Sequence, residues 1–95
     1  MNYPASTTFD EFRTTVNSIE NLHYDGLTVA DQSLRRNTYS WSAFAAHNTN
    51  RIWVGPAVTN PFSRNPGLTA ASIATIDEIS NGRAVLGIGL GGHGV

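Results

Sequence analysis

The chain has 95 residues, a formal net charge of −1, 14% charged residues and no cysteine. This length suffices for one small domain, and a 40% hydrophobic content with few charges argues against intrinsic disorder. The low charge excludes nucleic acid and anionic membranes as main partners, and no apolar run approaches the roughly 20 residues that span a bilayer. Residues 1–12 lack the pattern of a signal peptide, so we expect a cytoplasmic protein without disulfide chemistry.

The first predicted element is a helix that follows Thr8. Thr8 and Glu11 have the spacing of a capping box, in which each side chain satisfies a free backbone donor near the other. A short strand over 27–30 follows and is closed by Asp31. Residues 1–5 contain a proline and little apolar character, so we expect any strand before the helix to be missing or degraded. The apolar stripe of the helix consists of Phe9, Phe12, Val16 and Ile19.

The second helix is predicted over 38–48, with Trp41, Phe44 and Ala45 on its buried side. The next strand begins at 52 and is interrupted at Gly55-Pro56. Because proline lacks the N–H that a strand ladder needs, we expect a bulge or bend there.

The third helix has Asn65 as its N-cap and Pro66 at its first position, where the missing N–H is not needed. Asn81-Gly82 ends this helix, and a continuous apolar strand over 84–88 is expected to be buried on both faces. The predicted packing face of the helix consists of Leu68, Ser72, Ile76 and Ile79.

Helices and strands therefore alternate along the chain. Strand starts at 27, 52 and 84 are 25 and 32 residues apart. Such alternation predicts an α/β fold with parallel strands, and a (β/α)₈ barrel of about 250 residues averages roughly 31 residues per unit.

Polar residues at the carboxyl edge of this sheet are the candidate site. Asp31 follows one strand and the Thr59-Asn60-Pro61 turn follows the next, at the edge where α/β proteins bind ligands. The same residues equally fit an exposed loop acid and simple turn chemistry. Arg64 could meet a phosphate or face solvent. The three histidines are scattered, and no metal site is predicted.

The glycine-rich stretch offers a different interpretation. Gly87, Gly89 and Gly92 fit the G-x-G-x-x-G pattern of dinucleotide-binding proteins, which also requires a following helix and a distant acid. The alternative is a strand-to-helix turn whose backbone comes close to a ligand.

From residue 51 onward the pattern T-N-P…R-N-P…T-A-x-x-I-A-T-I-D-E-I-S-x-G-R-x-V-L-G-I-G-x-G is long and specific. It resembles the luciferase-like flavin and deazaflavin oxidoreductases, and most closely their methylenetetrahydromethanopterin reductase branch. H-Y-D-G-L-T-V-A-D extends the resemblance, which covers about residues 8–92. It implies a partial TIM (β/α)₈ barrel of the bacterial-luciferase type, with about three strands and three helices, and residues 1–95 as one incomplete barrel domain.

The resemblance also implies a site. Asp31 would lie beside the ring of a deazaflavin or FMN, and Ala57-Val58 stands where family members have a non-prolyl cis peptide in a bulge behind it. Thr59 and Asn60 would continue the cofactor wall, and Gly89 would approach the cofactor. The catalytic candidates are Asp31 and Gln32, although many deazaflavin-using members have histidine where Gln32 stands. Gly92 stands where many members have an acid.

The leading functional hypothesis is hydride transfer through a flavin or deazaflavin to a small-molecule substrate, by a reductase or monooxygenase. We expect these 95 residues alone to bind the cofactor poorly and to be inactive. The alternative is a non-enzymatic remnant or assembly piece, because open strand edges expose apolar surface that favours self-association. Trp53 and residues 84–88 are its expected contact points.

Overall fold

The computed structural model describes residues 2–3, 8–31, 37–59 and 64–89. Three strands form a parallel sheet in the order β1-β2-β3, and the helices pack against one of its faces. A 3₁₀ turn, Ile19–Leu22, extends the first helix. The elements are, in chain order, β1 (Asn2–Tyr3), α1 (Phe9–Ser18), β2 (Gly26–Val29), α2 (Thr38–His47), β3 (Trp53–Pro56) and α3 (Pro66–Ser80).

A strand that was expected to be missing or degraded does precede the first helix, as the two-residue β1. Asn2 and Tyr3 pair with Thr28 and Val29 of β2 in parallel register. Strand pairing uses backbone donors and acceptors, so a segment with little apolar character can still join the sheet edge. The capping box at the start of α1 is confirmed: Thr8 Oγ1 accepts from Glu11 N, and Glu11 Oε1 accepts from Thr8 N.

The main core lies between the helices and the sheet. Of the predicted stripe of α1, Phe12, Val16 and Ile19 are buried. Phe9 is partly exposed and contacts the rings of Trp41 and Phe44. The buried apolar residues are Phe12, Val16, Ile19, Leu27, Val29, Tyr39, Ala45, Ala46, Ile52, Val54 and Ile76.

Helix α3 begins and ends as predicted but turns a different face to the core. Asn65 caps its start by accepting from Gly67 N, and Asn81 ends it in the left-handed conformation. Ile76 is buried, whereas Leu68 and Ile79 of the predicted face are exposed. The packed row instead runs through Ile73, Ile76 and Ser80.

Strand β3 continues through Gly55 and Pro56, so the predicted break at these residues is wrong. Backbone N–H groups of Trp53 and Ala57 donate toward β2, whereas that of Val54 donates away from it, to Arg83. The N–H groups along β3 thus alternate between its two sides. An N–H at position 56 would face away from β2, so the proline there removes no hydrogen bond to β2. The irregularity falls one residue later, at a cis peptide bond between Ala57 and Val58, as the resemblance implied.

Residues 83–89 lie alongside β3 and are called the edge segment below. Isolated parallel bridges join Val54 to Ala84 and Thr59 to Ile88. The prediction that 84–88 is buried on both faces is wrong, since these residues are half-buried and Ile88 is 55% exposed. Among the described residues the edge segment has a neighbouring strand on one side only. No helix in the described ranges is long and apolar enough to cross a membrane.

Candidate functional site

Two residues singled out in the sequence meet at the carboxyl edge of the sheet. Asp31 follows β2 and Thr59 follows β3, and Thr59 Oγ1 donates a hydrogen bond to Asp31 Oδ2. Thr59 is only 2% exposed, whereas Asp31 is half-buried and reaches the surface. The buried hydroxyl therefore fixes the orientation of a carboxylate that remains accessible to a ligand.

The edge segment holds Thr59 from its other side. Thr59 N donates to Gly87 O at 2.8 Å, and Gly89 N donates to Thr59 O at 2.9 Å. Gly87 N in turn donates to Pro56 O at 2.9 Å. The two residues that follow β3, Ala57 and Val58, therefore lie opposite Gly87, between its hydrogen bonds to Pro56 and to Thr59. Regular parallel pairing would leave one residue there. The chain is thus bulged at the cis peptide, directly before the residue whose hydroxyl bonds Asp31.

A single backbone oxygen ties the end of β2 to the bulge and to α2. Val29 O accepts from Ala57 N at 3.0 Å and from Thr38 Oγ1 at 2.8 Å. Thr38 is 1% exposed, so this hydrogen bond is shielded from water. Sequence reasoning missed Thr38 because its partner lies nine residues away and no local spacing signals the contact.

The glycines of the edge segment serve close packing against the bulge. A Cβ added at Gly87 would lie 2.8 Å from Ala57 Cβ, and one at Gly89 would lie 2.9 Å from Val58 Cγ1. Both distances are too short for any side chain to fit without movement. The need for glycine at these two positions thus arises from strand packing, and the dinucleotide-binding interpretation is not required to explain it.

Apolar surface lies next to the polar pair. Val58 is 59% exposed and Ile88 is 55% exposed, and they sit on adjacent strands because Thr59 pairs with Ile88. The other candidates, Gln32 and Asn60, lie outside the described residues, as do Gly92 and His93.

The opposite end of the sheet is stabilised by charged residues that sequence reasoning did not assign. The Arg83 guanidinium donates to backbone oxygens at the ends of α2 and α3, including Ala46 O at 3.0 Å and Ser80 O at 2.7 Å. It also bonds Thr49 and Ile52 O. A cation is favourable at helix carboxyl ends, where unpaired carbonyl groups carry partial negative charge. Arg83 therefore joins both helices to the start of β3.

Glu20 plays the matching role for backbone N–H groups. Its Oε1 accepts from the backbone nitrogens of Asn50, Arg51 and Ile52, just before β3. Burial acts to raise the pKa of Glu20, but these N–H donors, led by that of Arg51, together with the Arg51 charge hold the pKa below its usual value. The carboxylate thus stays ionised while it orders this loop.

Comparison with known proteins decides the family. The family model for luciferase-like monooxygenases matches residues 1–95. The chain belongs to this family. The 5,10-methylenetetrahydromethanopterin reductase of Archaeoglobus fulgidus is 49% identical over 72 residues, which are 76% of this chain and 22% of that protein. The F420-dependent glucose-6-phosphate dehydrogenase of Amycolatopsis mediterranei is 40% identical over 53 residues, which are 55% of this chain and 16% of that protein.

A solved structure shows the same architecture. The coenzyme F420 dependent tetrahydromethanopterin reductase from Methanopyrus kandleri superposes with a TM-score of 0.89 and 29% identity, over 97% of this chain and 26% of that one. The predicted luciferase-like barrel fold is therefore confirmed, and it differs from the doubly wound fold that the dinucleotide-binding alternative requires. The chain spans 22% and 16% of the length of these two relatives and 26% of the solved structure.

Proposed function

We propose that this chain contributes one part of the cofactor wall in an oxidoreductase that transfers hydride through a deazaflavin of the coenzyme F420 type. The observation that carries this proposal is the Asp31–Thr59 pair beside the exposed Val58 and Ile88. The names of the relatives support a reductase or dehydrogenase acting on a small molecule, and they favour a deazaflavin over FMN. Residues 1–95 then form a single incomplete barrel domain.

The chemistry of this edge fits such a cofactor. A deazaflavin ring has broad apolar faces and a polar rim, and its bound form supplies a carbon that accepts or gives a hydride. Val58 and Ile88 offer apolar surface, and the Asp31 carboxylate offers hydrogen-bond acceptors beside it. In (β/α)₈ barrels this carboxyl edge is where active sites are built.

The roles proposed for the residues follow from their contacts. Asp31 accepts hydrogen bonds from polar groups at the ring's edge, and Thr59 positions it through the hydroxyl that occupies Oδ2. Ala57, Val58 and Gly89 form the wall behind the ring. Gln32 and Asn60 are included in the proposed site on the evidence of the sequence alone. Gln32 offers an amide that forms hydrogen bonds but does not exchange protons near neutral pH.

The test is a spectroscopic titration of the purified chain with oxidised deazaflavin, and in parallel with FMN. We expect weak binding, with a dissociation constant on the order of 0.1–1 mM, no turnover, and a preference for the deazaflavin. Asp31→Asn weakens this binding several-fold, whereas Asp10→Asn on the exposed face of α1 leaves it unchanged. Equal binding by the parent chain and Asp31→Asn contradicts the proposed site. A preference for FMN contradicts the choice of cofactor.

A second candidate function is a non-enzymatic assembly piece. Its specific support is the Trp53 side chain, which is 41% exposed. The ring packs directly on Gly26, where an added Cβ would lie 2.1 Å from it. A hollow of about 400 Å³ beside it is lined largely by apolar residues of the edge segment. Size-exclusion chromatography with light scattering separates the two functions. A dimer that Trp53→Ser dissociates supports assembly, and a monomer at high concentration argues against it.

A further inference from the structure

A cleft of about 310 Å³ lies between the first half of α2, the middle of α3 and Arg64, which precedes α3. It contains none of the residues of the Asp31–Thr59 site, so it stands independently of the proposed function. Six of its eight lining residues have a polar group in the side chain, and none of the eight is acidic. The residues that line it are Asn37, Tyr39, Ser40, Ala43, Arg64, Ser72, Thr75 and Ile76.

Two of its side chains present donors that nothing in the described chain accepts. Arg64 Nη1 and the hydroxyl of Tyr39 are both buried and have no hydrogen-bond partner among the described residues. Tyr39 is only 7% exposed. Leaving a buried donor unpaired is costly, and a guanidinium N–H more so than a neutral group. Two such donors in one cleft indicate that an acceptor belongs there.

Arg64 is also held in place without being neutralised. Its Cζ lies 4.2 Å from the centroid of the Tyr39 ring, a cation–π contact that orients the guanidinium over the residue bearing the second donor. In the described ranges the one salt bridge joins Arg13 to Asp10 and does not involve Arg64. The positive charge is therefore fixed in position and available to a ligand.

The surrounding electrostatics favour an anion. The first turn of α2, which lines the cleft, contains no acidic residue, so the positive end of this helix is uncompensated by side chains of that turn. Asn37 and Ser40 add a side-chain amide and a hydroxyl to the cleft wall. Because Tyr39 lies on α2 and Arg64 lies before α3, the two donors come from separate segments of the chain and suit a tetrahedral group with oxygens in several directions better than a planar carboxylate.

We infer that this cleft is a binding site for a phosphate-type oxyanion, held chiefly by Arg64 and Tyr39. Inorganic phosphate or the phosphate group of a small molecule supplies the same chemistry. The bound oxyanion accepts from Arg64 Nη1 and from the Tyr39 hydroxyl. Its binding links the start of α2 to the segment that leads into α3.

The experiment is a calorimetric titration of the chain with inorganic phosphate at constant ionic strength in chloride, with thermal unfolding measured alongside. Arg64→Gln lowers the phosphate affinity by about tenfold or more, and Tyr39→Phe lowers it by about three- to tenfold. Arg13→Gln, which removes an exposed arginine of α1, is the matched control and leaves it unchanged. Without phosphate, Tyr39→Phe unfolds at a temperature no lower than the parent, since it removes an unpaired donor.

Parallel titrations with sulfate and acetate test the class of anion. Sulfate is expected to bind at the same site, and acetate to bind more weakly than phosphate. Amide NMR of the parent chain gives a result that does not depend on any variant folding, with phosphate-induced shifts centred on residues 37–40 and 64–67. Phosphate affinity that is unchanged in Arg64→Gln, acetate binding as tight as phosphate, or shifts confined to other regions overturns the inference.

Discussion

The hydroxyl of Thr59 donates a hydrogen bond to Oδ2 of Asp31, joining residues 28 positions apart at the ends of β2 and β3. Replacing Thr59 by Val keeps the shape of the side chain and removes the donor. We expect Thr59→Val to lower the free energy of unfolding by about 1–2 kcal/mol, because a carboxylate oxygen loses its partner. Deazaflavin binding weakens with it, since Asp31 is no longer held in one orientation.

Urea unfolding and the deazaflavin titration check this prediction. Thr59→Ser is the matched control, because it restores the hydroxyl and retains most of the stability and binding. If Thr59→Ser and Thr59→Val behave alike, the hydrogen bond has no role in positioning Asp31.

Arg83 is predicted to be a major contributor to stability. Its guanidinium makes five hydrogen bonds to the ends of α2 and α3 and to the start of β3. Arg83→Met leaves several carbonyl groups without a donor, and we expect it to reduce the free energy of unfolding by about 3 kcal/mol. Arg83→Lys recovers only part of this, because an ammonium group lacks the planar fork of donors.

Arg13→Met is the control for Arg83, since it breaks an exposed pair with Asp10. Such surface pairs contribute about 0–1 kcal/mol. If urea unfolding gives Arg83→Met and Arg13→Met the same free energy of unfolding, the role assigned to Arg83 is contradicted.

Gly55 allows the edge segment to approach β3. An added Cβ there would lie 1.8 Å from the backbone oxygen of Val85, which no side-chain rotation relieves. Gly55→Ala is therefore expected to destabilise the chain by about 3 kcal/mol or more and to separate the edge segment from β3. Loss of hydrogen-exchange protection at Val85 and Gly87, whose amides donate to β3, reports this separation.

Gly67 is the matched glycine in α3, where an added Cβ meets only the side-chain oxygen of Asn65, at 3.0 Å. Gly67→Ala is expected to change the free energy of unfolding by less than about 1 kcal/mol, because the helix propensity of alanine offsets the contact. A Gly55→Ala variant as stable as Gly67→Ala would show that the close approach does not exist.

The Glu20 carboxylate makes stability depend on pH. Its pKa is lowered in the folded chain, so its contribution is fully present above the unfolded value of about 4.3 and is lost as pH falls through the lower, folded value. Above about pH 5 we expect the free energy of unfolding of Glu20→Gln to be about 1 kcal/mol lower than that of the parent. The effect is modest because the group contacts solvent. The difference shrinks below pH 4.

Chemical unfolding of both proteins between pH 3 and 7 measures this difference. Glu78→Gln, at an exposed position of α3, is the matched control for replacing a glutamate by glutamine. A Glu20→Gln penalty that stays constant across the range would exclude the carboxylate's charge as its source.

Local signals in the sequence predicted the elements well. Thr8 with Glu11 and Asn65 with Pro66 mark helix starts through caps that involve only neighbouring residues, and the structure confirms both. The buried faces were harder to predict, as α3 shows. Leu68 and Ile79 share a helical spacing with Ile76, but the packing of α3 against α2 exposes them. Which stripe is buried depends on the neighbouring helix, which periodicity does not report.

The candidate site was likewise predictable only in part. Asp31 and Thr59 were found because both follow strands, and parallel strands bring their carboxyl ends together. Pro56 led us to expect an irregularity in the correct strand but at the wrong residues. Whether a proline interrupts strand pairing depends on which side of the strand its missing N–H would face, and the register with β2 decides that side. The contacts of Thr38 with Val29, of Arg64 with Tyr39 and of Arg83 with Ala46 join residues nine or more positions apart, and nothing in the immediate sequence signals them.

The central claim is that a deazaflavin rests against the edge formed by Asp31, Val58, Thr59 and Gly89. Amide NMR of the chain, recorded as the reduced deazaflavin is added, tests it most directly. We predict that the largest shift changes occur at these four residues, that they saturate, and that Asp31→Asn reduces them. Shift changes that fall elsewhere, or that are the same in Asp31→Asn as in the parent, would contradict the claim.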